Sequence, residues 1–288
     1  MIEGSAPTGP RYVDLHMHST ASDGAATPAA LVAAAAAAGL STIALTDHDT
    51  IDGVPGARSA GLELGVEVIA GVELSAFEDD RETHLLGLHL TRIDAMAEAL
   101  ATFRRSRRLR AEQIVAVLNG LGVPITLAAV LQEADGGAIG RPHIARALIA
   151  GGWARDSRDA FDRYLGFRKP AFVPKLTLGL ADAIDLVHEG GGIAVLAHPG
   201  GTGTRQWLEN LAALGLDGVE VRHPGHSAED IARLGALCDF LDLVPSGGSD
   251  WHGAMSGTRV LNVMRVPDEW LRRQRERVEH RAGRARVA

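Results

Sequence analysis

Asp14-Leu15-His16-Met17-His18 closes the apolar run from Tyr12 to Leu15, and its reading decides the fold. Side chains alternate along an extended strand, so the two imidazoles of His-x-His point to one side and can chelate one ion. Imidazole and carboxylate are also the groups that hold zinc, manganese or iron without thiols. Taken alone, the pair is weak evidence. The device recurs, however: seven short segments place a histidine or carboxylate at the end of an apolar run, the last being Gly248-Ser249-Asp250-Trp251-His252. Of the twelve histidines, only His89, His188 and His280 stand clearly outside the pattern.

Working outward, strand-like runs occur at Tyr12 to Leu15, Thr42 to Thr46, Val66 to Ala70, Leu85 to Leu88, Ile193 to Ala197, Gly218 to Val221 and Leu241 to Pro245. Helices separate several of them. Thr27-Pro28 supplies a cap and first residue for an Ala-rich helix that stops at Gly39, and another runs from Leu180 to Glu189 before three glycines. Such alternation predicts an α/β fold with a parallel sheet, wound or closed, and helices outside. In a β/α barrel the carboxyl ends of all strands share one face. His16, His18, His48, Glu73, His198, Asp250 and His252 each follow a strand and would therefore converge.

From Ala95 to Val173 the strand signal gives way to helical periodicity, with Leu109, Ile114, Val117, Leu118 and Leu121 as apolar positions. The expected organisation is a discontinuous barrel over 11–94 and 174–265, a helical insertion over 95–173, and a tail over 266–288. The tail reads as a frayed or weakly docked helix. Arg104, Arg105, Arg107, Arg108 and Arg110 could meet a polyanion or form a solvated face.

The 288 residues, 46% hydrophobic, suffice for one barrel and an insertion. Cys238, the single cysteine, excludes a disulfide framework and a thiolate zinc site; it reads as a core residue in a reducing compartment. No secretory leader or bilayer-length apolar run is seen, so the expected location is cytoplasmic. A net charge of −7 argues against a general nucleic-acid surface, although eight arginines face four acidic residues from Arg265 onward. The preference for Arg over Lys, with the alanine run at 33–38, suggests a GC-rich coding bias. No phosphate loop, nucleophile elbow or dinucleotide fingerprint is present.

Thr46-Asp47-His48-Asp49 strengthens the metal reading, since two carboxylates around a histidine are costly to bury without a cation. With it, Asp14-Leu15-His16-Met17-His18-Ser19, Ser22-Asp23-Gly24, Gly71-Val72-Glu73, His84, Ala197-His198-Pro199 and Gly248-Ser249-Asp250-Trp251-His252 resemble the ordered motifs of the PHP (polymerase and histidinol phosphatase) metal-dependent phosphoesterases. Gly140-Arg141-Pro142-His143, Lys169-Pro170-Ala171-Phe172-Val173-Pro174 and Gly225-His226-Ser227 are similar to the branch containing nucleoside 3′,5′-bisphosphate phosphatases and a 5′-3′ exoribonuclease.

The resemblance implies a distorted (β/α)7 barrel and three divalent metal ions. His16, His18, Glu73 and Asp250 would hold the first; Glu73 would bridge to a second on His84 and His198; Asp23, His48 and His252 would hold the third. Asp23 stands where some relatives place histidine, which favours manganese or magnesium, with zinc and iron open. The attacking group would be a metal-bound water or hydroxide, with no protein nucleophile. Arg141, His143 and His226 would bind the substrate phosphate. Asp14, Asp47 and Asp49 would support the ligands, the last two by orienting His48.

Simpler roles stay open for several residues. His143 could cap or pack a helix, His226 could belong to its turn, His223 could be an ordinary loop residue, and Lys175 could be solvated. The Gly200, Gly201 and Gly203 loop could let substrate approach. The expected activity is removal of the 3′-phosphate from a nucleoside 3′,5′-bisphosphate. The alternatives are a 5′-3′ exonuclease on short oligonucleotides, a histidinol-phosphate phosphatase, and a metal-stabilised module without catalysis. A small nucleotide is the expected partner; no membrane association is expected and no protein partner can be inferred.

Overall fold

The first strand-to-helix switch follows its local chemistry. Thr27 accepts the Ala30 N–H through its hydroxyl at 3.2 Å, and Pro28 opens the helix where its missing N–H costs nothing. The computed structural model describes residues 12–78, 81–134, 139–174, 178–253 and 260–285. Lys175 lies outside them, and the side chain of Arg104 is likewise not among those described.

Ten strands are present: β1 (Tyr12–Met17), β2 (Thr42–Leu45), β3 (Glu67–Ala70), β4 (Val72–Glu78), β5 (Arg81–Leu88), β6 (Leu178–Gly179), β7 (Ile193–Leu196), β8 (Gly218–Arg222), β9 (Val244–Gly247) and β10 (Val266–Pro267). They lie in two sheets, ordered β10-β1-β2-β3 and β6-β4-β5-β7-β8-β9. Most pairings are parallel, but β5 runs antiparallel to both β4 and β7, and β10 is antiparallel to β1. The fold is thus mixed α/β with helices outside; the pairing of the described strands does not form a single closed ring. Two isolated parallel bridges, Met17 with Trp251 and His48 with Glu73, occur where the sheets approach.

The helices are α1 (Pro28–Ala37), α2 (Val54–Leu64), α3 (Ile93–Gly120), α4 (Leu127–Ala134), α5 (Arg141–Ala150), α6 (Ser157–Ala160), α7 (Leu180–Glu189), α8 (Arg205–Ala213), α9 (Ala228–Leu241) and α10 (Asp268–Ala285). One apolar cluster joins α1, α2, α7, α8 and α9 to the strands. A second, containing Val13, Leu15, Leu86, Leu88, Ile193 and Val195, unites strands of both sheets. Each such side chain, removed fully from water, contributes about 1.5–3 kcal/mol.

A third cluster lies wholly between Ala111 and Ala171 and packs α3, α4 and α5 together. On α3 the buried stripe is Ala111, Ile114, Val115 and Leu118, at i, i+3, i+4 and i+7. Leu109, Val117 and Leu121, expected on that face, are exposed.

The C-terminal segment also differs from expectation. α10 is docked: Leu271 enters the core shared by both sheets beside Val266 of β10, and fully buried Gln274 donates to the Pro245 carbonyl at 3.0 Å. Its arginines pair with Glu67, Asp217, Asp239 and Asp242, so the helix read as frayed or weakly docked is fastened by ion pairs. No described helix is long and apolar enough to cross a membrane.

Candidate metal centre

Strand ends from both sheets deliver the predicted donors to one place. His16 Nε2 lies 3.1 Å from His18 Nε2, 3.3 Å from Glu73 Oε2 and 3.4 Å from Asp250 Oδ1. His18 Nε2 is 3.2 Å from both carboxylates. On the other side of Glu73, Oε1 meets His84 Nδ1 at 2.8 Å and His198 Nε2 at 3.0 Å, while Oε2 is 3.2 Å from His48 Nδ1. Asp23 gathers His252 at 3.4 Å and His48 and His18 at 3.9 Å each. The structure therefore brings all nine expected ligand residues together. Its grouping differs: His18 also reaches the Asp23 set, and the set of Glu73 and His84 is completed by His48, while His198 meets Glu73 but falls outside the three sets.

The donor spacing fits cations. Metal–ligand bonds of about 2.1 Å hold adjacent ligands roughly 3.0 Å apart in an octahedron and 3.4 Å in a tetrahedron. His18 Nδ1 is buried without a hydrogen bond, a cost of about 1–3 kcal/mol that an ion would remove.

Electrostatics give the same answer. Burial disfavours a charged His16, yet Glu220, Glu73 and Asp250 outweigh it and hold its pKa well above the usual value. For His18, burial is overcome by Asp250 and Glu73 and the pKa rises to about 10. Burial, joined by the charges of His18 and His84, lowers His48 to about 3. Burial opposes ionisation of Asp23 and Glu73 too, but the surrounding histidines, His48 foremost, hold both well below the usual carboxylate range. Buried carboxylates that need extra protons for balance are the setting that divalent cations neutralise.

The backbone is shaped for this convergence. Asp49, His198 and Asp250 have φ of 50°, 31° and 49°, left-handed conformations that cost about 1–3 kcal/mol each in a non-glycine residue. A Cβ at Gly248 would stand 2.5 Å from His16 Cβ and 2.8 Å from Asp14 Oδ1, so only glycine lets the closing loop approach β1.

The supporting carboxylates work through loops. Asp14 accepts the Ser249 N–H at 2.9 Å, and burial, only partly offset by such bonds, raises its pKa to about 6. Asp47 accepts the Ser19 N–H and the hydroxyls of Ser19 and Ser22 at 2.7–2.8 Å. Its bonds thus fasten the loop that carries Asp23 rather than orienting His48. Asp49 accepts the Ser75 N–H at 2.9 Å and an Arg107 fork, joining β4 to α3.

One residue of the centre, Glu220, escaped the sequence reading, and a second, His223, had its role left open. Glu220, fully buried on β8, sits 3.0 Å from His16 Nδ1 and accepts the His198 N–H at 2.8 Å. Its signal was a carboxylate between Val219 and Val221 in an apolar strand. His223 is buried: its Nδ1 accepts the Gly225 N–H, so Nε2 carries the proton toward Asp250 Oδ2 at 3.3 Å.

The three expected phosphate contacts are placed differently from one another. His143 is buried, and its Nδ1 accepts the Gly140 N–H at 2.9 Å, the capping geometry. His226 lines the cavity, but Nδ1 donates to the Val221 carbonyl and Nε2 accepts the Gly200 N–H. Both its ring nitrogens hold the turn and the glycine loop. Arg141 donates to the Leu165 carbonyl at 3.2 Å and lies near Phe161 and Phe172. A cavity of about 380 Å³ opens over the centre, lined by His48, Glu73, His84, His198, His223, His226, Asp250 and His252, with Gly200 and Gly225 at its wall.

Residues 14–117 match the PHP domain family. The chain is 38% identical over 245 residues to a 5′-3′ exoribonuclease of Haemophilus influenzae, covering 83% of this chain and 89% of that one. It is 34% identical over 254 residues to the 3′,5′-nucleoside bisphosphate phosphatase of Chromobacterium violaceum, covering 86% and 89%. A phosphoribosyl 1,2-cyclic phosphate 1,2-diphosphodiesterase of Eggerthella lenta is 36% identical over 265 residues, covering 88% and 98%. A crystal structure from Bifidobacterium adolescentis, assigned as a metal-dependent phosphoesterase, superposes with a TM-score of 0.83 at 32% identity, covering 92% and 96%. With its clustered histidines and carboxylates suited to metal ions, the chain belongs to the PHP family and is a metal-dependent phosphoesterase.

Proposed function

We propose that the protein removes the 3′-phosphate from nucleoside 3′,5′-bisphosphates. The observation that carries this reading is one cavity of about 380 Å³ opening over three donor sets, two of which share Glu73, a volume suited to a single nucleotide. The likeness to the Chromobacterium enzyme supports the substrate class. Three divalent ions, manganese foremost, fit the nine donors grouped above. We also read the two sheets as parts of one distorted seven-stranded barrel, for which the bridges Met17–Trp251 and His48–Glu73 are the support.

Bound divalent ions would supply Lewis-acid charge at the phosphoryl oxygens and a water acidified toward neutrality. The chain's own residues prepare the site for them. Glu220 accepts the His16 Nδ1 proton and leaves the Nε2 lone pair facing the first donor set. His252 Nδ1 donates to the Asp250 carbonyl and turns Nε2 toward Asp23. His223 fixes the second oxygen of Asp250. Gly200 and Gly225 keep side chains out of the cavity wall, so a phosphate can reach the donors.

A second reading, 5′-3′ exonuclease action on short oligonucleotides, is favoured by the 38% identity to the Haemophilus exoribonuclease. Incubation with adenosine 3′,5′-bisphosphate and with a 5′-phosphorylated pentaribonucleotide separates the two. Phosphate release from the first alone is expected. Successive mononucleotides from the second, with no phosphate from the first, would replace the leading reading by the other.

A further inference from the structure

Beside α5 the insertion presents aromatic rings and arginines that the centre does not use. Phe161–Leu165 forms a π-helical turn, an irregularity often kept at functional sites. After it, Phe167 is 69% exposed and meets Phe172 edge-on, with ring centroids 5.4 Å apart. The Arg168 guanidinium lies 5.1 Å from the Phe167 centroid on a left-handed backbone, φ 61°. Arg141 stands 5.7 Å from Phe161 and 5.8 Å from Phe172.

The neighbouring Arg155, Arg158 and Arg163 are neutralised by Asp159 or Asp162. Among the described residues, Arg141 and Arg168 form no ion pair, and their guanidinium groups lie against the rings. Arg141 opens α5, the helix that also carries His143. Two residues along α5, His143 bonds the backbone of Ser22, next to Asp23, and Arg107 of α3 grips Asp49. An exposed ring, Phe167, set against the half-buried Phe172 and beside arginines without carboxylate partners, is the kind of surface by which proteins hold unpaired bases and the backbone between them.

We propose that Phe167 and Phe172, with Arg168 and Arg141, form a stacking site for a base of a single-stranded oligonucleotide whose reacting phosphate lies at the metal centre. None of these residues lines the 380 Å³ cavity, so the base they take is not that of the reacting nucleotide but of one further along the strand. The inference rests on the oligonucleotide reading.

The test is fluorescence anisotropy of a 3′-labelled, 5′-phosphorylated pentaribonucleotide on the full chain, with calcium replacing the activating metal. Base–aromatic stacking is worth about 5- to 150-fold in affinity. Phe167→Ala should therefore weaken pentamer binding at least about 5-fold. Phe167→Trp should restore it, and a pentamer without bases beyond its first residue should bind wild type as poorly as the alanine variant binds the intact strand. Competition by adenosine 3′,5′-bisphosphate should not change. Equal pentamer affinity of wild type and Phe167→Ala, or an equal loss for the bisphosphate, would overturn the stacking site, as would wild type that does not bind the pentamer. Cleavage in manganese is read in parallel: stacking without release of 5′ mononucleotides would overturn exonuclease action alone.

Discussion

Replacing Glu220 by glutamine probes how the second layer of the centre sets metal affinity. Its two oxygens accept from His16 Nδ1 at 3.0 Å and from the His198 N–H at 2.8 Å, and the side chain is fully buried. Glutamine offers one acceptor and one NH2, so it cannot accept from both. The backbone N–H of His198 cannot change its proton; the imidazole of His16 can. The amide NH2 of Gln therefore turns toward His16 and favours the tautomer with a bare Nδ1 and a proton on Nε2. That proton points at the donor set, 3.3 Å from Glu73 and 3.4 Å from Asp250, where a cation needs a lone pair. Losing such an orienting partner costs about 10- to 100-fold in metal affinity, or about 1.4–2.7 kcal/mol. Calorimetric titration of manganese into chelator-stripped protein measures it, with metal-free thermal unfolding as a check on the fold. Affinity within twofold of wild type would refute the reasoning.

Other perturbations follow from the same geometry. Gly248→Ala places a methyl 2.5 Å from His16 Cβ, and the forced movement should cost about 1–3 kcal/mol in urea unfolding and abolish phosphate release. Arg107→Ala leaves Asp49, which is 3% exposed, without its guanidinium partner; a loss of about 3 kcal/mol is expected, and a double-mutant cycle with Asp49→Ala should show that the two effects do not add. Burial and Arg146 lower the His143 pKa from 6.5 to about 4. Because the folded value lies below the unfolded one, its contribution is complete above pH 6.5 and is lost as pH falls through 4. Unfolding in chelator should show up to about 3 kcal/mol less acid sensitivity in His143→Asn than in wild type.

Seven donors, His16, His18, His48, Glu73, His198, Asp250 and His252, were legible because metal chemistry favours histidine and carboxylate and β/α topology brings strand ends together; Asp23 and His84 came only from the resemblance to the PHP motifs. Glu220 was not legible, since it sits inside a strand rather than after one. The pattern that betrays it is a carboxylate flanked by Val219 and Val221, tolerable in a buried strand only with a partner. The hairpin of β4 and β5 was hidden because only Leu85 to Leu88 reads as strongly apolar, while His84 and Glu73 occupy strand positions that a purely parallel pattern would fill with aliphatics. α10 reads from sequence as frayed or weakly docked, yet it is docked. Trp270, Leu271, Gln274 and Val278 mark a narrow inward stripe, and the charges around it find partners on the body of the protein. His226 illustrates a limit of motif reading: a residue in the expected turn was assigned to substrate, whereas its two ring nitrogens secure the loop.

The central claim is that nine clustered side chains work by holding metal ions over which a nucleotide phosphate is cleaved. Phosphate release from adenosine 3′,5′-bisphosphate, followed while manganese is titrated into stripped protein, tests it most directly. The account predicts no turnover without metal, activity rising with occupancy to about three ions per chain, and none in His16→Ala at any manganese concentration. Undiminished hydrolysis by the stripped protein, or a fully loaded protein inert toward every nucleotide, would contradict it.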